Sequence, residues 1–204
     1  MSAEKKARAT PPSVPRSRLA VGLCLLATIG LTAADLASKA WAEGALAIER
    51  TNDAPPLCEP GTMQRLRAEP VVLIEGYLEL RYAENCGAAF GLMRGASPNA
   101  RKAVFGIAAT LASIALLVMF VRGRGRVLFA YSVPLIVSGA VGNLVDRIRY
   151  GYVVDFIYFH WQDAWEYPTF NVADCGITVG VVLLVLDGFR EGKAERAPVA
   201  QDGA

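Results

Sequence analysis

The sequence predicts an α-helical membrane protein with four transmembrane helices, a small external β-rich region and a short interfacial helix. Two observations predict the helices. Four nearly charge-free segments, Leu19 to Ala34, Ala103 to Val121, Val127 to Val145 and Val172 to Leu186, stand apart in a chain of 204 residues that is 53% hydrophobic. A hydrocarbon core about 30 Å thick needs roughly 20 helical residues, so two segments span it alone and two span it with their flanks. A third observation gives the fold a working end: Asp35, Asp146 and Asp174 lie at the ends of three different segments, with Asp155 in a short connection nearby. If the segments alternate across a bilayer, all four acids fall near one membrane face.

Residues 1–18, with Pro11, Pro12 and Pro15 among small and basic residues, read as a flexible cytoplasmic tail. The first apolar segment follows. Ala40-Trp41-Ala42 has the small-x-small form of a signal-peptide cleavage site. The apolar run nonetheless merges into a helix-compatible stretch with charges four apart, which favours a retained first helix. The external region 43–100 comes next. Pro55, Pro56 and Pro60 make its first part a loop, whereas Val71-Val72-Leu73-Ile74, a Glu75-Gly76 turn and the alternating Tyr77 to Tyr82 read as a small sheet on the membrane surface.

Arg122, Arg124 and Arg126 fill the turn between the second and third segments. The connection from Arg149 to Phe170 is crowded with Phe156, Tyr158, Phe159, Trp161, Trp165, Tyr167 and Phe170. It reads as an aromatic belt at headgroup level, part of it a short interfacial helix. Residues 19–189 thus form the membrane core, and 190–204 a second cytoplasmic tail. Basic residues before the first segment, between the second and third, and after the fourth put both termini inside. Arg101, Lys102, Arg147 and Arg149 run against that count without reversing it. The formal net charge of +2 is explained by topology and gives no reason to expect a nucleic-acid partner.

The four cysteines are scattered, Cys24 and Cys175 beside apolar segments and Cys58 and Cys86 outside, where a disulfide between the external pair is conceivable. With one histidine, His160, and no close cysteine cluster, neither a metal site nor a cofactor is expected.

Asp, Lys or Arg at the centre of a spanning helix costs about 2.5 to 3.5 kcal/mol, less near the interface. Local pairing accounts for several of these residues. Asp35 and Lys39 are four apart on one helix face; Asn143, Asp146 and Arg147 share the end of the third helix; Asn171 is a credible N-cap three residues before Asp174. Asp155 and Asp174 lack a basic residue within one helical turn. Two carboxylates meeting near a low-dielectric boundary would share a proton and activate water, the chemistry of aspartyl peptide hydrolysis. The same acids could serve a proton-coupled transporter or a structural polar cluster. Against a transport path, the second segment has no ionisable residue and the acids crowd one leaflet. Serine or cysteine catalysis lacks a clear base arrangement around the sole histidine.

The runs Asn85-Cys86-Gly87-Ala88-Ala89-Phe90-Gly91, Gly142-Asn143-Leu144-Val145-Asp146-Arg147, Gly151-Tyr152-Val153-Val154-Asp155-Phe156 and Phe170-Asn171-Val172-Ala173-Asp174, with Asp35-Leu36-Ala37-Ser38-Lys39, resemble in order and context the sequence boxes of bacterial lipoprotein signal peptidase, or signal peptidase II. The resemblance covers about Leu19 to Phe189. It implies a four-helix aspartyl endopeptidase of the bacterial inner membrane with an external β-rich cradle and an interfacial helix. Its implied substrates are diacylglyceryl-modified prolipoproteins, cut before the lipidated cysteine at the outer face by a monomer that needs no metal and contacts membrane lipids.

Carried over residue by residue, the resemblance makes Asp155 and Asp174 the catalytic pair. Asn85 would hydrogen-bond substrate backbone, and Asn143 and Asn171 would hold substrate or the carboxylates. Gly87 would permit close approach and Phe90 would supply an apolar wall. Asp146, Arg147, Asp35 and Lys39 would support the site. Cys175 stands where serine is frequent and Ser138 where glycine is, and residues 43–70 are longer than usual.

Overall fold

The computed structural model describes residues 15–48, 68–86, 97–162 and 164–196. Among the described residues there are four long helices: α1 (Arg18–Leu46), α2 (Pro98–Val121), α3 (Val127–Arg149) and α4 (Val172–Arg196). All four contain stretches long and apolar enough to cross a membrane. Ser17 and Ser97 cap α1 and α2, each hydroxyl accepting from a main-chain N–H three residues on, at 3.2 Å. Pro98 opens α2, where a missing N–H costs nothing.

α3 is the central helix, and α1, α2 and α4 each pack against it. Their outward faces carry exposed Leu26, Ile29, Ile107, Leu111, Val181 and Val182. Apolar surface of this kind is what a lipid-facing helix presents. Glycines bring α3 and α4 close. A Cβ at Gly139 would collide with the Ala173 carbonyl, and one at Gly180 would lie 2.6 Å from the Ile136 side chain. Toward one end of the bundle Cys24, Phe120, Phe129, Val133 and Val137 form a buried apolar cluster.

At the other end lies an open antiparallel sheet, β1 (Val71–Ile74), β2 (Leu78–Asn85), β3 (Val153–Trp161) and β4 (Trp165–Glu166), in that spatial order. Gly76, at φ 77°, closes the β1–β2 turn as the Glu75-Gly76 pair predicts. β2 pairs with β3 from Leu78↔Phe159 to Asn85↔Val153, with an irregularity between Leu80 and Ala83. With 29 residues, α1 is about 43 Å long and overshoots the hydrocarbon layer. Its last turns supply Ala42 and Leu46 to a core completed by Tyr82, Tyr152, Val154 and Phe156 of the sheet end.

One expectation is corrected. The aromatic connection holds no interfacial helix among the described residues; it forms β3 and β4. Its Val-Val-Asp-Phe-Ile-Tyr-Phe run is β-branched and aromatic, and β2 offers a partner for its main chain, so the sheet wins. The loop expected over residues 51–60 lies outside the described residues.

Candidate active site

Asp155 comes from a strand. The two-residue period of β2 and β3 puts Ala83 and Asn85 on the same sheet face as their partners Asp155 and Val153. Asn85 is therefore diagonal to Asp155, and its Nδ2 donates to Asp155 Oδ2 at 2.9 Å. The strand then meets the start of α4. Phe156 and Ile157 donate their N–H groups to the Phe170 carbonyl at 3.0 and 2.8 Å, and Phe170 N–H returns to Ile157 O at 3.0 Å. These bonds pin Asn171, the next residue, against Asp155.

Asn171 is the N-cap that its spacing predicts. Its Oδ1 accepts from Asp174 N–H at 3.0 Å, and Asp174 Oδ2 accepts from Asn171 N–H at 3.3 Å. This reciprocal capping box holds Asp174 in the first turn of α4, where the positive end of the helix dipole favours a carboxylate. The Asn171 amide has a second set of contacts: Nδ2 donates to Asp155 Oδ1 at 2.6 Å, with Val154 O and Asn143 Oδ1 each 3.2 Å away. Asn143, from α3, donates from Nδ2 to Asp174 Oδ1 at 2.9 Å. Three asparagines thus hold both carboxylates, and each of the four carboxylate oxygens accepts one bond.

Behind them lies a buried cation. Lys39 is only 2% exposed and its Nζ meets Asp35 Oδ2 at 2.9 Å, Asp146 Oδ2 at 3.0 Å and Asn143 Oδ1 at 2.9 Å. Three oxygens, two of them from carboxylates, thus lie within 3.0 Å of one ammonium, which has three protons to share among them. The acceptors reach further: Asp35 Oδ1 accepts from Ala173 N–H at 2.8 Å, and Asp146 Oδ2 from Val154 N–H at 3.1 Å. One lysine therefore ties α1 and α3 directly, α4 through Asp35, and β3 through Asp146. Gly142 makes this possible, because a Cβ there would overlap Asp35 Oδ2.

The two acids differ in setting. Asp155 is buried, 1% exposed, whereas Asp174 is half-buried. Burial first, and then the Asp174 charge, push the Asp155 carboxyl up to about 7, against the hydrogen bonds of Asn85 and Asn171 and the Lys39 charge. Arg147 donates from Nη1 to Asn143 O at 3.1 Å.

The structure brings together Asn85, Asn143, Asn171, Asp155 and Asp174, with Asp35, Lys39, Asp146 and Arg147 around them. Gly87 and Phe90 lie outside the described residues. The expected basic neighbour of Asp146 is corrected: its ion pair is with Lys39, across helices, while Arg147 holds the Asn143 carbonyl. Sequence reasoning missed Gly142 and the main chain of Val154 and Ala173; only the glycine one turn before Asp146 offered a signal. His160 faces Glu79 on the sheet, Nε2 to Oε1 3.5 Å, away from the carboxylates. Cys86 is disulfide-bonded and Cys24 and Cys175 are free thiols; Cys58 lies outside the described residues. Among the described residues no three His, Cys, Asp or Glu side chains converge as a ligand set. Beside the first turn of α4, an apolar hollow of about 260 Å³ lies between α1, α3 and α4, lined in part by Leu31, Leu135, Val172, Cys175 and Val179.

The family model for signal peptidase (SPase) II matches residues 27–190. The lipoprotein signal peptidase of Clostridium tetani is 39% identical over 132 residues, covering 61% of this chain and 81% of that protein. That of Pseudomonas aeruginosa strain PAO1 is 40% identical over 130 residues, covering 63% and 76%. A solved bacterial membrane enzyme shares the fold with a TM-score of 0.65 at 22% identity, over 88% of this chain and 95% of its own. A second does so at 0.60 and 24% identity, over 81% and 91%. Because the matched stretch runs from the first helix to the last and takes in Asp35, Asn85, Asp155 and Asp174, the chain belongs to the bacterial lipoprotein signal peptidase (signal peptidase II) family.

Proposed function

We propose that this chain is an aspartyl endopeptidase that removes the signal peptide from diacylglyceryl-modified prolipoproteins, cleaving before the lipidated cysteine, with Asp155 and Asp174 as its catalytic pair. The observation that carries the assignment is the amide shared between them: Asn171 donates to Asp155 Oδ1 at 2.6 Å and caps Asp174 at 3.0 Å. The Asn171 main-chain N–H also donates to Asp174 Oδ2 at 3.3 Å, so one residue grips a carboxylate from a strand and one from a helix, an arrangement suited to general acid–base work on one water.

At rest buried Asp155 holds a proton, its carboxyl pushed up to about 7. In the reaction Asp174 takes a proton from water as the water oxygen attacks the scissile carbonyl carbon, and Asp155 gives its proton to the carbonyl oxygen. The tetrahedral diol collapses when Asp155 recovers that proton and Asp174 protonates the departing nitrogen, breaking the C–N bond. The products are the signal peptide carboxyl and a free amino group on the lipidated cysteine. Asn85, Asn143 and Asn171 hold the two acids, and Asn85 also borders the approach of substrate backbone. Lys39, Asp35, Asp146 and Arg147 keep α1, α3, α4 and β3 in register and act on the reaction only through them.

The substrate class fits the surroundings. A diacylglyceryl chain in the outer leaflet sets the cleavage point at interface depth and makes delivery two-dimensional. The apolar hollow beside the first turn of α4 offers an acyl chain a place near the acids. Both termini are cytoplasmic in this reading, because the arginine-rich α2–α3 turn lies at the bundle end remote from the site. A monomer suffices, since one chain holds both acids. The assignment is tested by incubating the purified protein with two prolipoproteins that differ only in diacylglyceryl modification. Cleavage of the modified substrate alone is expected; no cleavage, or equal cleavage of both, overturns it.

A further inference from the structure

The end of the bundle remote from the carboxylates carries a second organised feature. α2 ends at Val121 with Arg122 as its C-cap, after which Gly123, at φ 71°, donates to Phe120 O at 2.9 Å and Arg124 N–H donates to Met119 O at 3.0 Å. This is the paired-bond ending that a left-handed glycine permits. Gly125, at φ 72°, turns the chain into α3, and a Cβ there would strike the Phe129 ring. The Arg-Gly-Arg-Gly-Arg turn is therefore fixed by its own backbone.

Two other elements brace it. Arg16 N–H donates to Val121 O at 3.1 Å, and its Nη2 reaches Gly125 O and Arg126 O at 3.2 and 3.3 Å. From α4, buried Asp187 accepts Arg126 N–H on Oδ2 at 2.9 Å. These contacts employ main-chain atoms of the turn and leave its side chains free. Arg18, Arg122, Arg124 and Arg126 are exposed, and among the described residues none of their guanidiniums makes an ion pair. Exposed Leu19, Val121 and Val127 stand next to them.

We infer that this turn is a seat for the phosphate of an anionic glycerophospholipid. Several unpaired guanidiniums gathered on a rigid turn repel one another, and a bridging phosphate relieves that repulsion through charge-assisted, fork-shaped hydrogen bonds. The apolar residues alongside receive the acyl chains that a soluble anion lacks. A lipid phosphate between Arg18 and the turn adds a link from α1 to the α2–α3 connection, parallel to the one Arg16 makes. The seat is independent of the peptidase reaction.

The test uses the purified full chain in detergent, with binding read by native mass spectrometry and thermal melting. Phosphatidylglycerol is expected to remain bound and raise the melting temperature, whereas phosphatidylcholine with the same chains and millimolar inorganic phosphate do neither. Replacing Arg122→Gln and Arg124→Gln together should weaken phosphatidylglycerol binding about 25-fold, roughly fivefold per arginine. Cleavage in detergent without added lipid should be unchanged. Equal binding of the two lipids by the native chain, equal stabilisation by inorganic phosphate, or full affinity in the folded double variant would each overturn the proposal. The comparison of lipids on the native chain decides the matter even if the variant does not fold.

Discussion

Asn171 and Asp174 hold each other at the start of α4, side chain to main chain in both directions, at 3.0 and 3.3 Å. The same asparagine reaches Asp155 with its Nδ2. Asn171→Asp keeps a capping oxygen but replaces that donor with a third carboxylate, so it should fold and lose at least ~100-fold in kcat. Steady-state kinetics with circular dichroism on the same sample separate the two effects.

The pH dependence has a definite sign. Asp155 carries its proton up to about 7, so the basic limb of kcat/KM should fall near that pH. The Asn85 bond favours the charged form, and Asn85→Ala should therefore move the limb to higher pH. A pH profile of the variant checks the shift separately from any change in rate; movement to lower pH would contradict the role given to Asn85.

The raised affinity of Asp155 for its proton also links folding to pH. The stabilisation is fully present below the ordinary carboxylate pKa of about 4. It is lost as pH rises toward about 7, when a buried carboxyl must ionise. Asp155→Asn cannot ionise there, so its melting temperature should fall less between pH 5 and pH 8 than that of the native chain. Melting curves at the two pH values test this.

Lys39 neutralises Asp35 and Asp146 at 2.9 and 3.0 Å in a site almost closed to solvent. Lys39→Met leaves two buried carboxylates without their cation and should cost about 3–5 kcal/mol. Removing one acid instead, with Asp35→Asn, should cost less. Denaturant titration in detergent ranks the variants, and the reverse order would contradict the hub.

Gly142→Ala puts a methyl where Asp35 Oδ2 sits. The aspartate must then leave Lys39 or the Ala173 amide, and the change should cost about 1–3 kcal/mol of stability. Activity should fall with it, because the first turn of α4 loses its anchor on α1. Thermal melting and turnover of one preparation measure both.

Much of this arrangement was legible from charge placement. Four helices follow from four apolar segments, and the capping role of Asn171 from its spacing to Asp174. α1 and α3 run past their apolar segments to carry the Asp35–Lys39 and Asn143–Asp146–Arg147 groups, as their spacing suggests, but that Lys39 and Asp146 satisfy one another across helices is something a single segment cannot reveal. The Lys39–Asp146 pair is a contact over 107 positions of sequence, so local spacing pointed to Arg147 instead. β3 was hidden for a similar reason: an aromatic run reads equally well as a belt or a helix until β2 supplies its partner. Gly142 looked like any small residue of a membrane helix, since only the packed structure shows the carboxylate in its place.

The central claim rests on Asp155 and Asp174 and is tested most directly by turnover of a diacylglyceryl-modified prolipoprotein by purified Asp155→Asn and Asp174→Asn variants. Both should remain folded in detergent and release no signal peptide. Normal cleavage by either folded variant would contradict the claim.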